Sequence, residues 1–189
     1  MMESLIHTTL YSDIEVPIIA IIEKRITIPL NGVTIELRKG LRRELPMRFA
    51  IPLLKKNMIK IDVSRLYSKG LINKIRWKEE RMESLQELDE DFYLKVRILI
   101  KTLEEQLKEN PDDIELLSTI RQIKISVIDI IKARMQKIVK IASTNPEISR
   151  EYLKNMTKEE RMLYVKLCDM LSFWHDSLQK FIDKGEIID

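Results

Sequence analysis

From Asp91 to Lys184 the apolar residues of this chain recur three and four positions apart, in blocks broken at Asn110-Pro111 and Asn145-Pro146. That spacing is the period of one helix face, so these blocks predict long amphipathic helices. The first begins near Asp91 and carries Phe92, Val96, Leu99, Leu103 and Leu107. The second, capped by Asp112 or Asp113, has a seam of Leu117, Ile120, Ile123, Val127, Ile131, Met135, Ile138 and Ala142. It also carries Ile125, Ile128 and Ile130 off that seam, and a helix apolar on several faces needs several neighbours. A short helical turn is expected over Ile148 to Leu153.

The last block opens on Thr157-Lys158-Glu159-Glu160, a capping box in which threonine caps and glutamate follows three later. Its stripe is Leu163, Leu167, Met170, Leu171, Trp174, Leu178 and Phe181, which predicts a buried Trp174. Lys180 and Lys184 suit the carboxyl end and Gly185 supplies the stop. An earlier helix is expected from a cap at Asp62 or Ser64, through Leu66, Leu71 and Ile75, to about Met82. Gly70 weakens it by roughly 1 kcal/mol relative to alanine without ending it. With only 4 glycines and 6 prolines in 189 residues, little interrupts these helices. Short connections between four principal helices predict a bundle.

The first 61 residues follow a different period. Val16 to Ile22 is an apolar, β-rich run, and alternating runs at Ile26–Leu30 and Val33–Leu37 flank Asn31-Gly32. Asn-Gly between alternating runs is a hairpin signal. Pro29 has no amide hydrogen, so its strand is expected at an edge or a bulge. Pro46 to Lys56 reads as a short helix that Pro52 disturbs, and Met58 to Ile61 as one more strand. The expected class is α+β: a small N-terminal β-rich domain, residues 1–61, followed by a larger all-α bundle, residues 62–189.

Little in the chain resembles reaction chemistry. The histidines, His7 and His175, lie in different regions, and Cys168 is the one cysteine. Cys168 and His175 are two helical turns apart, roughly 10 Å, too far for a nucleophile pair. Two ligands are too few for a zinc site. The acidic run from Glu83 to Asp91 lacks the Glu-x-x-His partner of a di-iron bundle. No glycine-rich phosphate loop is present. No catalytic, metal or cofactor site is expected.

The formal net charge is +3, and no apolar run is long enough to span a membrane. The N-terminus does not read as a signal peptide, so a cytoplasmic location is expected. Arg38, Lys39, Arg42, Arg43, Lys55 and Lys56 form a basic set that could meet nucleic-acid phosphates or an acidic partner; a passive solvated rim is the competing reading. Tyr164, Cys168 and Phe173 lie off the last stripe, as Ile125 and Ile128 lie off the seam of the helix capped by Asp112 or Asp113. These readings mark Ile125, Ile128, Tyr164 and Phe173 as protein-interface candidates.

The segment Leu45-Pro46-Met47-Arg48-Phe49-Ala50-Ile51-Pro52-Leu53-Leu54-Lys55-Lys56 resembles the signature of GINS complex subunits of the second and third kind. Ile59-Lys60-Ile61-Asp62, Tyr67 and the pair Phe92-Tyr93 match in order. Met47, Arg48 and Pro52 depart from the family pattern. The resemblance implies the β-first, helical-second order of the combined archaeal type. It also implies a non-enzymatic scaffold at replication forks, assembled with the other GINS subunit type as a dimer of dimers. The implied partners are the MCM helicase, a RecJ-like protein and primase, with at most weak direct DNA contact. The runner-up is an unrelated helical nucleic-acid-binding or regulatory module.

Overall fold

The computed structural model describes residues 13–27 and 34–185. A small N-terminal β-strand region is followed by a larger α-helical bundle, an α+β arrangement. The described residues form two compact units. One draws on the chain up to Ser68 and on Lys95–Glu109. The other draws on Lys69–Leu94 and on the chain from Asn110 onward.

In the first unit, β1 (Glu15–Ala20) is the centre of a three-stranded antiparallel sheet. Its neighbours are β4 (Arg42–Pro46) and β5 (Ile59–Ile61). Val16 faces Leu45 across one ladder, and Ile18 faces Ile61 across the other. These side chains are buried on one face, which α1 (Met47–Lys55) covers with Met47, Ala50, Ile51 and Leu53. The helix follows Pro46 directly and continues through Pro52. A second pair, β2 (Lys24–Thr27) with β3 (Thr34–Leu37), is antiparallel and buries Ile35 and Leu37. The expected turn at Asn31-Gly32, and Pro29, lie outside the described residues.

One strand was not expected, and one helix expectation fails. Strand β4 has the sequence Arg-Arg-Glu-Leu-Pro, in which only Leu45 is fully buried. Its charged residues hide the alternation that marks a strand, and pairing with β1 overrides them. The helix expected from Asp62 or Ser64 does not start there. Val63–Arg65 forms a 3-10 turn, and α2 runs over Lys69–Arg81. Asp62 spends its side chain on Ser64 Oγ at 2.5 Å and on the Arg42 guanidinium at 3.5 Å, so it does not cap a helix.

The two longest helices start and stop where their caps predict. α3 spans Phe92–Glu109. α4 spans Ile114–Thr144, and its cap Asp113 accepts a bond from the Leu116 amide at 2.8 Å. α5 covers Arg150–Lys154. α6 covers Lys158–Lys184, with both halves of the Thr157–Glu160 capping box formed and Gly185 left-handed at φ 71°. In the second unit α4 packs against α2 and α6. Leu85, Ile138, Ala142, Met156, Tyr164 and Cys168 form a buried cluster there.

Candidate subunit interface

Arg134 determines which face of α4 points inward. The buried residues of that helix are Ile120, Ile123, Ser126, Val127, Ile130, Arg134, Ile138 and Ala142. The seam therefore passes through Ile130 and Arg134, and the expected members Ile131 and Met135 are exposed. Arg134 is 1% exposed, and each of its five N–H groups has a partner. Nε donates to Glu160 Oε1 at 2.7 Å and Nη2 to Glu160 Oε2 at 2.8 Å. Nη1 donates to Glu79 Oε2 and to the Gln86 carbonyl, both at 2.9 Å, and Nη2 to the Asn155 carbonyl at 2.6 Å. Lys137 Nζ reaches Glu79 Oε1 at 2.6 Å. The Tyr93 hydroxyl donates to Glu160 at 2.7 Å. Two cations thus balance two carboxylates, contributed by α2, α4 and α6.

Burial alone would raise the Glu160 pKa. The Arg134 guanidinium, the Tyr93 hydroxyl and the Thr157 amide outweigh it and hold the carboxyl below its usual value. Burial would lower the Arg134 pKa, but Glu160 and then Glu79 hold it above the usual arginine value. Tyr93 is pushed well above the ordinary phenol range by burial and by the Glu160 charge. Glu160 and Arg134 thus form a buried, fully hydrogen-bonded ion pair, the condition under which buried charges are tolerated. Each carboxylate is turned to the guanidinium, and no open cavity is needed to explain the arrangement. Its role is to lock three helices in one rotational setting.

That setting leaves a broad apolar surface outside. On α4, Ile125, Ile128, Ile131, Met135 and Val139 are exposed, within an arc of about 120° at 100° per residue. On α6 the expected core stripe divides: Leu167 and Leu171 pack against the buried cluster, and the rest of the stripe lies farther out. Leu163, Met170, Trp174 and Phe181 are exposed, Met170 at 66% and Trp174 at 58%. The inward face carries Glu160, Tyr164 and Cys168. Beyond Cys168 no described residue of α6 is buried, although the helix continues to Lys184. Ile131, Met135 and Leu163 line one shallow groove of about 230 Å³, so the two apolar faces adjoin. A contiguous exposed apolar surface of this kind marks an interaction site.

The sequence candidates divide accordingly. Ile125, Ile128 and Phe173 are exposed. Tyr164 is not: it is 0% exposed, accepts a bond from the Ser149 amide and donates to the Glu147 carbonyl. It belongs to the chain's own core, which corrects its reading as an exposed residue. Cys168 is buried beside it, and His175 is exposed. Met135, Val139, Met162, Met170 and Trp174 were not among the candidates. The available signal was an apolar arc on α4 too wide for one groove, together with an arginine lying in its seam.

The basic residues are dispersed. Arg42 and Arg43 alternate on β4 and so face opposite sides of the sheet. Arg42 lies beside Asp62, and Arg43 is half-buried. Arg38 pairs with Glu36 at 3.7 Å. Arg38 and Lys55 line different clefts, the latter shared with Glu105 and Glu109. Lys39 and Lys56 are exposed. Among the described residues no helix is long and apolar enough to cross a membrane, and no three His, Cys, Asp or Glu side chains are grouped to hold a metal.

No curated protein matches the chain. The family model described as "Sld5: GINS complex protein helical bundle domain" matches residues 66–179, more than half of the chain. The segment 45–56, which carried the resemblance to subunits of the second and third kind, lies outside that match. The narrower assignment is therefore corrected to the Sld5-type description. Through this helical bundle, a structural module and not a catalytic one, the chain belongs to the GINS complex family.

Proposed function

We propose that the chain is a scaffold subunit of a GINS assembly, joined to its neighbours through the outer faces of α4 and α6. The observation that carries this reading is the uncovered second half of α6, where Met170, Phe173, Trp174, Phe181 and Ile182 are all exposed. An isolated chain gains nothing from exposing these side chains, whereas a permanent interface is rich in them. In the proposal this face includes Ile125, Ile128 and Phe173, and the partner is the other GINS subunit type in a dimer of dimers. Assembled in this way, the chain would link the replicative MCM helicase to a RecJ-like protein and primase at the fork.

The division of roles is also proposed. The helical portion, residues 62–189, supplies the main subunit contact. The β-rich portion, residues 1–61, is left to meet replication partners, with Arg38, Lys39, Arg42, Arg43, Lys55 and Lys56 as its basic contacts. Truncation at Ile61 is a poor test of this, because Lys95–Glu109 belongs to the same compact unit as the β-rich portion. Point substitution is cleaner. Met170→Asp and Trp174→Asp, at exposed positions, should leave the free chain helical and abolish its co-elution with the partner GINS subunit. An unpaired carboxylate is costly to bury in an apolar interface. Light scattering of the mixture decides the matter: a full-sized assembly formed by both variants would remove α6 from the interface.

A further inference from the structure

The solvent face of α2 carries a feature that assembly through α4 and α6 does not use. Only Ile72 and Glu79 of this helix are buried. At 100° per residue, Lys74, Trp77, Lys78 and Arg81 fall within about 100° of arc, roughly opposite those two. All four are exposed, Trp77 at 54%. The other cations near them are engaged: Arg76 with Asp129 at 3.3 Å, and Lys137 with Glu79. Among the described residues Lys74, Lys78 and Arg81 have no ion-pair partner. Glu80 is exposed but falls outside the arc. The Arg81 guanidinium lies over the Trp77 ring, 4.6 Å from its centroid. It covers one face of the indole and leaves the residue more than half open.

We propose that this face binds single-stranded nucleic acid. Lys74 and Lys78 are one turn apart, about 6 Å along the axis, and repeat a positive charge along a line as a strand repeats its phosphates. Such a row supplies the sequence-independent electrostatic part of binding. The indole, at one edge of the arc and axially between Lys74 and Lys78, supplies the second part. A flat aromatic face beside cations is a stacking platform for a base, and the Arg81 cation behind it strengthens the stack. Duplex hides its base faces, so only an unpaired strand can use Trp77 in this way. An acidic peptide would satisfy the lysines and leave the indole face unused. The surface belongs to α2 alone, so it holds or fails independently of the proposed subunit interface.

The test is fluorescence anisotropy of a labelled oligothymidylate of about 15 nucleotides, near the upper site size of single-strand-binding folds, titrated with the full chain at several salt concentrations. Trp77→Ala should weaken binding by roughly tenfold or more. Lys78→Glu should weaken it too, and should reduce the slope of log affinity against log salt by about 0.7, the value for one lost phosphate contact on a single strand. A duplex of equal length should bind less tightly. All altered side chains are exposed, so circular dichroism melts should be unchanged and loss of binding cannot be loss of fold. Wild-type affinity in Trp77→Ala, or equal affinity for duplex, would overturn the stacking role. An unchanged salt slope in Lys78→Glu would overturn the phosphate row. Displacement of the oligonucleotide by polyglutamate as readily as by unlabelled oligothymidylate would assign the face to an acidic protein instead.

Discussion

Arg134 shows how much one side chain can decide. It lies in the α4 seam among isoleucines, and its five donors are all satisfied by α2, α6 and two loop carbonyls. Arg134→Met would leave Glu160 without its ion pair and Glu79 with Lys137 alone. The expected loss is about 3–5 kcal/mol, the range for removing one partner of a buried pair, read from urea denaturation midpoints. Glu160 also makes stability depend on pH. Its folded pKa is depressed, so its contribution is full above the unfolded value of about 4.3 and is lost as pH falls through the lower folded value. Wild-type stability should therefore drop below about pH 4.3, and Glu160→Gln should be less stable at neutral pH but flatter across that window. Parallel acid profiles for the two proteins would show that Glu160 is not the group responsible.

At the scale of the element, α6 carries two apolar stripes, and the less obvious one faces inward. Leu163, Leu167, Met170, Trp174, Leu178 and Phe181 recur at three and four with no charge among them, yet Leu163, Met170, Trp174 and Phe181 are exposed. Glu160, Tyr164 and Cys168 form the buried line. Two substitutions separate these faces. Trp174→Ala should change the stability of the free chain by no more than about 0.5 kcal/mol, as expected of an exposed site. Tyr164→Ala should cost about 3–5 kcal/mol, as expected of a buried aromatic. If the two effects were reversed in chemical denaturation of the unassembled chain, α6 would be rotated relative to this description. The capping box at Thr157 is independent of that rotation, because it is local to the first turn.

At the scale of the whole molecule, the apolar faces of α4 and α6 mean that the chain alone is an incomplete object in the proposed reading. A partner that binds only the folded state raises stability by mass action, about 2.7 kcal/mol at one hundred times its dissociation constant. The melting temperature of the chain should therefore climb as the partner GINS subunit is added, and should stay fixed for Trp174→Asp. The same scale separates what could be read early from what could not. The stops at Asn110-Pro111 and Asn145-Pro146, the caps at Asp113 and Thr157 and the stop at Gly185 were legible because each depends on residues within one turn. So was the α+β order, which rests on long periodic stretches; the GINS resemblance was carried by the segment 45–56, and its assignment to subunits of the second and third kind did not hold. The charged strand β4 was hidden because its pairing with β1 is non-local. The exposure of Met135, Met170 and Trp174 was hidden for a related reason. Periodicity gives the angle between two side chains on one helix, but not how the helix is turned about its axis. Where the apolar arc is wide, several turns bury similar area, and local sequence cannot choose among them. On α4 and α6 the setting that is found brings carboxylates of α2 and α6 to Arg134 of α4, a contact that exists only once the bundle has closed.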